Sequence, residues 1–247
     1  MKNAEYDPLA EDYYQSKFLP FRVFSEMPDH LELLGDLTGK SVLDVACGEG
    51  FYTRLIRSCG ASTCVGVDVS SEMIRLARAK EFENPIGIQY EVASVTSMGE
   101  VISGGFDVVS TAFLFNCARD QGELRGMFQE IYKTLKVGGR LCATIGDLGH
   151  RPTIDYSKYG MRTKIAEDLS EGAPYEITFL LPEGSFSITD YNHSLETYRM
   201  MSEEVGFKFE GLHPCSVTDT GIERYGSEFW EQWLASPCIW RFSARKV

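Results

Sequence analysis

The chain of 247 residues has no run of 18 or more apolar residues, which excludes a helical membrane span of ordinary length. Its opening stretch, Met1-Lys2-Asn3-Ala4-Glu5-Tyr6-Asp7-Pro8, has neither an apolar stretch nor a cleavage signal, so a soluble, cytoplasmic protein is expected. Histidine is scarce, with four residues, and no Cys-x-x-Cys pair occurs, so no metal site is expected. The seven cysteines are odd in number and scattered at 47, 59, 64, 117, 142, 215 and 238, which suits reduced, buried small side chains better than disulfides or zinc ligands. Positive charge is also short. With 24 Lys and Arg against 36 Asp and Glu, the formal charge is −12, and no basic track exists to bind nucleic acid or an anionic membrane surface. The cations at 75, 78 and 80 share one helical stretch and read as a solvated face.

What the chain does have is enough apolar sequence, 43%, for one sizeable core with a modest elaboration. After residue 29 helices and strands alternate. Strands are expected at 41–46, 63–68, 88–93, 106–111 and 139–146, with helices at 29–35, 52–58, 71–80 and 120–135. That order predicts an α/β protein with a parallel sheet covered on both faces. Beyond Gly146 the pattern changes. Residues 175–181 and 186–191 read as an antiparallel pair, a helix over 194–205 ends at Gly206-Phe207, and two further strands would follow. The aromatic tail from Phe229 to Trp240 is read either as a packed closure or as a wall of an aromatic pocket.

The most informative stretch is Val42-Leu43-Asp44-Val45-Ala46-Cys47-Gly48-Glu49-Gly50-Phe51, a buried strand ending in a glycine loop that opens a helix. The next strand ends in Asp68, 24 residues after Asp44, where doubly wound folds place the acid that accepts ribose hydroxyls. No third glycine follows Gly50, and no Lys-Ser/Thr pair follows the loop, which argues against a dinucleotide or a nucleoside triphosphate. The acids Asp44 and Glu49 would repel a pyrophosphate. A ligand with a cationic amino group and no phosphate fits better.

On these residues the chain resembles the class I S-adenosylmethionine-dependent methyltransferases, whose first motif, (V/L)-L-D-x-(A/G)-C-G-x-G, is matched by Val42 to Gly50. The resemblance continues through Asp68, Phe106-Asp107-Val108-Val109-Ser110 and Leu135-Lys136-Val137-Gly138-Gly139-Arg140-Leu141, covering residues 30 to 147. It implies a Rossmann-like, seven-stranded, mostly parallel sheet with helices on both faces, a reversed seventh strand and a small lid, and S-adenosylmethionine as cofactor. Backbone amides around Ala46, Gly48 and Gly50 would then approach the methionine moiety, with Asp44 facing its ammonium group. Asp68 would accept both ribose hydroxyls, and Val69 and Met73 would flank the adenine. Ser94 stands where the family usually has an aspartate for the adenine amino group; the Val95 amide would meet the ring. Ala112 would lie near the sulfonium and Asn116 at the edge of the substrate pocket.

A second resemblance is the arm Tyr6-Asp7-Pro8-Leu9-Ala10-Glu11-Asp12-Tyr13-Tyr14, similar to the Tyr-Asp-x-x-Ala-x-x-Tyr segment that folds over the cofactor in small-molecule methyltransferases. It implies Tyr6, Tyr14 and Arg22 as lid residues, with Arg22 gripping the methionine carboxylate; a surface arginine in a salt bridge is the alternative. Tyr6, Phe18, Asn116 and Tyr191 are the expected substrate contacts. The expected division of one domain is an arm over 1–29, a cofactor-binding core over 30–147, a substrate lid over 148–191 and a C-terminal part over 192–247.

Methyl transfer needs chiefly in-line positioning in a closed, dry site, because the sulfonium is a good leaving group. Where a base is required, His193 is the expected residue; a satisfied core histidine is the other reading. The expected function is methylation of a small aromatic or heterocyclic metabolite, nitrogen preferred as the receiving atom, by a monomer or homodimer. The run Leu114-Phe115-Asn116, the Tyr198 helix and Phe229-Trp230 are similar to enzymes of the toxoflavin-biosynthesis type. Alternatives are O-methylation of a phenol or carboxylate, and a non-catalytic subunit that binds S-adenosylmethionine to regulate a partner.

Overall fold

The computed structural model describes residues 9–149, 155–165 and 169–247. The sheet is built from β1 (Ser41–Val45), β2 (Thr63–Asp68), β3 (Ile88–Val92), β4 (Phe106–Ala112), β5 (Leu135–Gly146), β9 (Phe207–Pro214) and β10 (Ile239–Lys246), in the order β3-β2-β1-β4-β5-β10-β9. The pairs among β1 to β5 are parallel, and β10 runs antiparallel to both β5 and β9. This is the Rossmann-like arrangement with one reversed strand. The order changes direction at β1, which lies between β2 and β4, and such a switch point opens a crevice at the carboxyl ends of the strands.

Helices cover both faces. On one lie α5 (Gln121–Thr134) and α6 (Leu195–Val205); α5 buries Leu124, Met127, Phe128 and Ile131 at helical spacing, and the Phe128 ring stacks on Phe115 at 4.2 Å. Asp120 caps α5 by accepting from the Glu123 amide, and Ser194 caps α6 by accepting from the Thr197 amide. The other face is covered by α2 (Met27–Leu34), α3 (Phe51–Ser58) and α4 (Ser71–Glu83), which bury Leu34, Ile56, Ile74 and Ala77. The helix expected from Asp29 begins earlier, continuous with a π-helical turn over Arg22–Glu26.

A separate three-stranded antiparallel sheet consists of β6 (Met161–Ile165), β7 (Pro174–Leu181) and β8 (Gly184–Tyr191). The sequence pattern indicates only the last two. The sheet packs on α1 (Ala10–Ser16), α7 (Asp219–Tyr225) and α8 (Ser227–Ala235) through Phe21, Tyr159, Phe179, Trp230 and Trp233. Most of the aromatic tail is thus a packed closure. Trp230 Nε1 donates to the Gly221 carbonyl and Trp233 Nε1 to Ser25 Oγ, each at 2.9 Å, so both indoles satisfy their polar edge while fully buried.

One glycine sets the passage from β1 into α3. Gly50 has φ +83°, and a Cβ there would collide with the Tyr90 phenol. Gly50→Ala is therefore expected to cost at least about 1–3 kcal/mol from the backbone strain alone. Urea denaturation should show a lowered midpoint with an unchanged slope.

Candidate cofactor and substrate site

Between β1 and α3 the backbone turns left-handed at Ala46 (φ 59°), Gly48 (φ 55°) and Gly50 (φ 83°). Ala46 and Phe113 (φ 65°) are the non-glycine residues with positive φ among the described residues, and they follow β1 and β4, the two strands that meet at the switch point. Strain of this kind collects where surrounding structure holds a site in place. Asp68, at the end of β2, ties the loop down: one carboxylate oxygen accepts from the Gly48 amide at 2.8 Å and the other from the Ser70 amide at 2.9 Å. Burial pushes the Asp68 carboxyl up, against the pull of these amides.

A cavity of about 500 Å³ opens above these strand ends. Its floor holds Ala46, Gly48, Asp68, Val69, Met73 and Val95, and Ala112 continues it toward β4. Its far end lies under the three-stranded sheet, lined by Tyr13, Phe21, Phe113, Tyr175, Phe179 and Tyr191. Charged groups in the wall are Arg22, Arg119, Asp68, Asp147 and Asp190; no histidine or lysine is among the described lining residues.

Of the residues expected at the site, Arg22, Ala46, Gly48, Asp68, Val69, Met73, Val95, Ala112 and Tyr191 line this cavity, and seven other described ones do not. Tyr6 lies outside the described residues. Tyr14 and Phe18 point away from it. Tyr14 packs edge-on against Phe18 and Phe51 with Lys80 Nζ 3.7 Å from its ring centre, and Phe18 is 55% exposed. The residue of α1 that reaches the cavity is Tyr13. Ala10, Tyr13 and Lys17 fall on one helical face, and the arm motif quoted above also places its second tyrosine at Tyr13.

Asp44 is turned beneath the loop, where its carboxylate takes the Thr53 hydroxyl at 2.7 Å and the Ser110 hydroxyl, and burial raises it to about 6. Gly50 serves the turn rather than the wall. Ser94 spends its hydroxyl on the next turn, against the Thr96 amide and hydroxyl. Asn116 is fully buried behind the wall; its amide spans the Gly146 backbone, donating at 2.9 Å to the carbonyl and accepting at 2.9 Å from the N–H, and it also reaches the Tyr175 and Tyr198 phenols. His193 is 0% exposed and has no ring nitrogen to spare: Nε2 faces the Ala118 carbonyl at 2.9 Å, which places a proton there, and Nδ1 faces the Glu171 carboxylate at 3.0 Å. The expected base is a structural link.

Arg22 is 1% exposed and pairs with Glu26 at 3.3 Å. Its guanidinium also sits 5.2–5.5 Å from the ring centres of Tyr13, Phe21, Phe113 and Phe179. Lys17 is buried nearby, over Tyr13 at 4.7 Å and Tyr52 at 4.9 Å; burial first, then the Arg22 charge, pushes its ammonium down to about 8. Glu49 is 1% exposed and neither carboxylate oxygen has a hydrogen-bond partner. Asp147 and Asp190 were not anticipated. Asp190 carried a readable signal, since it continues the inward phase of Phe186 and Ile188 along β8.

Residues 42–139 match the model of a methyltransferase domain. Among curated relatives, the ubiquinone biosynthesis O-methyltransferase of Pseudomonas paraeruginosa is 26% identical over 141 residues, 56% of this chain and 59% of that protein. The chain thus matches little more than half the length of this relative. The solved S-adenosylmethionine-dependent methyltransferase of Mesorhizobium loti shares the fold over 94% of this chain and 100% of its own, with a TM-score of 0.66 at 19% identity. The [4+2]-cyclase SpnF also shares it, with a TM-score of 0.60 at 15% identity over 89% of this chain and 80% of its own, so the fold does not by itself decide the reaction.

Beneath the glycine loop, a buried polar chain joins the sheet to α2. Asp44 meets Ser110, Ser110 meets His30 Nε2 at 3.0 Å, and His30 Nδ1 meets Thr144 Oγ1 at 2.8 Å. Burial pushes the His30 imidazole down to about 4. Below the unfolded value of 6.5 the unfolded chain binds this proton and the folded one does not, so the associated stability is complete above pH 6.5 and is lost as the pH falls toward 4. The full loss is about 3 kcal/mol. Asp44 works in the opposite sense, so wild type must be compared with His30→Gln. Urea titrations from pH 7 to 4 should show a shallower acid decline in the variant; parallel profiles would remove His30 as the titrating group.

Proposed function

We propose that this protein transfers a methyl group from S-adenosylmethionine to a small, flat, partly aromatic metabolite. The observation that carries the reading is one cavity whose floor is the glycine loop with Asp68 and whose far end is an aromatic chamber under the small sheet. The residues present fit the cofactor. Glu49 offers a buried carboxylate with no hydrogen-bond partner beside the loop, which suits a ligand that brings positive charge, and Asp68 presents an acceptor at the strand end where a ribose would lie. When bound, the cofactor supplies an activated methyl on a sulfonium. The chain's own part is then to hold the acceptor in line and keep water out with aromatic walls.

A second reading, oxygen as the receiving atom, is favoured by the O-methyltransferase name of the curated relative and by carboxylates at the wall able to take a hydroxyl proton. The narrower likeness to toxoflavin-type enzymes adds little. Asn116, Tyr198 and Trp230 are fully buried packing residues, so those motifs describe the frame and not the acceptor.

Calorimetry with S-adenosylhomocysteine should give one site per chain, and Asp68→Ala should weaken it about 100-fold or more, the worth of two hydrogen bonds to a charged group. His193→Ala should leave that affinity within about threefold. Incubation with methyl-labelled cofactor and a cell extract should place label in the small-molecule fraction; label in macromolecules alone, or binding without any turnover, would defeat the reading.

A further inference from the structure

The fully buried Asn116 carries an amide whose orientation is settled by Gly146, at the end of β5: Oδ1 accepts from the Gly146 N–H and Nδ2 donates to the Gly146 carbonyl, both at 2.9 Å. Nδ2 also reaches two phenol oxygens, Tyr175 at 3.3 Å and Tyr198 at 3.4 Å. An amide nitrogen only donates, so both phenols accept from it. The Tyr175 hydroxyl hydrogen is left unspent, with no acceptor among the described residues. The two phenols differ in place. Tyr198, on α6, lies behind the wall, whereas Tyr175, on β7, lines the cavity with Gly146, its Oη 3.4 Å from where a side chain at Gly146 would begin. Burial first, then the charge of Asp190, its partner across the β7–β8 pair, holds the Tyr175 phenol well above its ordinary value, so the proton stays on the oxygen. The wall therefore holds a neutral donor, fixed from behind by a buried amide.

We propose that Tyr175 is a substrate-recognising hydrogen-bond donor, and that the methyl acceptor it selects carries an accepting oxygen or ring nitrogen on its flat frame, as an aryl ketone, a lactam or an azine does. The inference rests on the methyltransferase reading and adds a recognition residue and an acceptor class to it. A ligand without such an atom would strand a desolvated hydroxyl, and a site built around a hydrogen bond discriminates against analogues that cannot make it. Asn116 is the positioning residue: by donating to Oη it keeps the phenol hydrogen turned away from itself. Tyr175 then fixes where in the aromatic chamber the ring comes to rest, which in-line transfer requires.

Two probes test this, 4-chromanone and chroman, which share a bicyclic frame and differ at the carbonyl, each titrated into the full chain with and without S-adenosylhomocysteine. Calorimetry should show 4-chromanone bound about fivefold tighter or more, the worth of one hydrogen bond. In Tyr175→Phe the preference should fall to about twofold or less while chroman keeps its affinity. Tyr198→Phe, which removes the phenol outside the cavity, should leave the preference intact. Gly146→Ala, whose methyl crowds Oη without removing it, should lower the preference in part, and it decides should Tyr175→Phe fail to fold. Binding of S-adenosylhomocysteine by each variant reports an intact fold and cofactor floor. A wild type that binds chroman as tightly as 4-chromanone, or binds neither, overturns the proposal. So does a preference unchanged in folded Tyr175→Phe or, failing that, in Gly146→Ala, and so does an equal loss of both probes. Failure of the wild type to bind S-adenosylhomocysteine would instead count against the methyltransferase reading itself.

Discussion

A buried guanidinium joins the parts of the molecule that must meet around the cavity. Arg22 touches Tyr13 from the arm, Phe113 from the strained end of β4 and Phe179 from the lid sheet, and its charge is answered by Glu26, which in turn accepts from the Tyr52 phenol at 2.6 Å. Removing a partner from such a pair leaves an uncompensated charge in a dry place, at a cost of about 3–5 kcal/mol. Cation–π attraction to desolvated rings adds about 2 kcal/mol. α1, the end of β4 and the three-stranded sheet are therefore coupled through one side chain. That coupling explains why the arm can be short: α1 has seven residues, too few to be stable alone, and its stability comes from the face bearing Ala10, Tyr13 and Lys17.

The cavity floor depends on a different constraint, the left-handed turn after β1. The Asp68 carboxylate fixes Gly48, and Tyr90 fills the space that a side chain at Gly50 would need. Gly66 in β2 is under the same pressure, since a Cβ there would come within 2.7 Å of the Tyr90 ring and 2.9 Å of Cys47 Sγ. The loop is thus held from below by packing and from the side by a charge-assisted bond, while Asp44 and His30 anchor the strands beneath it through hydroxyls. The floor is prepared before any ligand arrives, as an electrostatically organised site requires.

What could be read in the sequence follows the range of the interactions. The loop, Asp68 and the strand order are local or nearly periodic features, and Val42 to Gly50 carries the first of them in nine consecutive residues. Tyr14 in place of Tyr13 is a phase error over one residue, and the burial of Lys17 four residues further on resolves it only once α1 has a surface to lie on. Asn116 and His193 fail for another reason. Each is a polar residue in the right neighbourhood, and nothing in the sequence says whether its hydrogen bonds face a ligand or a carbonyl from a distant element. Their partners are Gly146, 30 positions away, and Ala118, 75 positions away. The lid strand β6 is short, and its neighbour β7 supplies the pairing that defines it.

His193, fully buried between Glu171 and Ala118, leaves the cavity without an imidazole among its described lining residues. A site that relies on an imidazole base needs a nitrogen lone pair at its wall, and among the described lining residues no histidine is present. The phenols of Tyr13 and Tyr175 are raised, by burial above all, and so hold their protons near neutrality. Lys17, lowered to about 8, could lose a proton, yet it lies over Tyr13 and Tyr52 rather than in the wall. The proton acceptors among the described lining residues are therefore the carboxylates of Asp68, Asp147 and Asp190. Positioning between aromatic walls is what this arrangement of side chains offers a flat ligand.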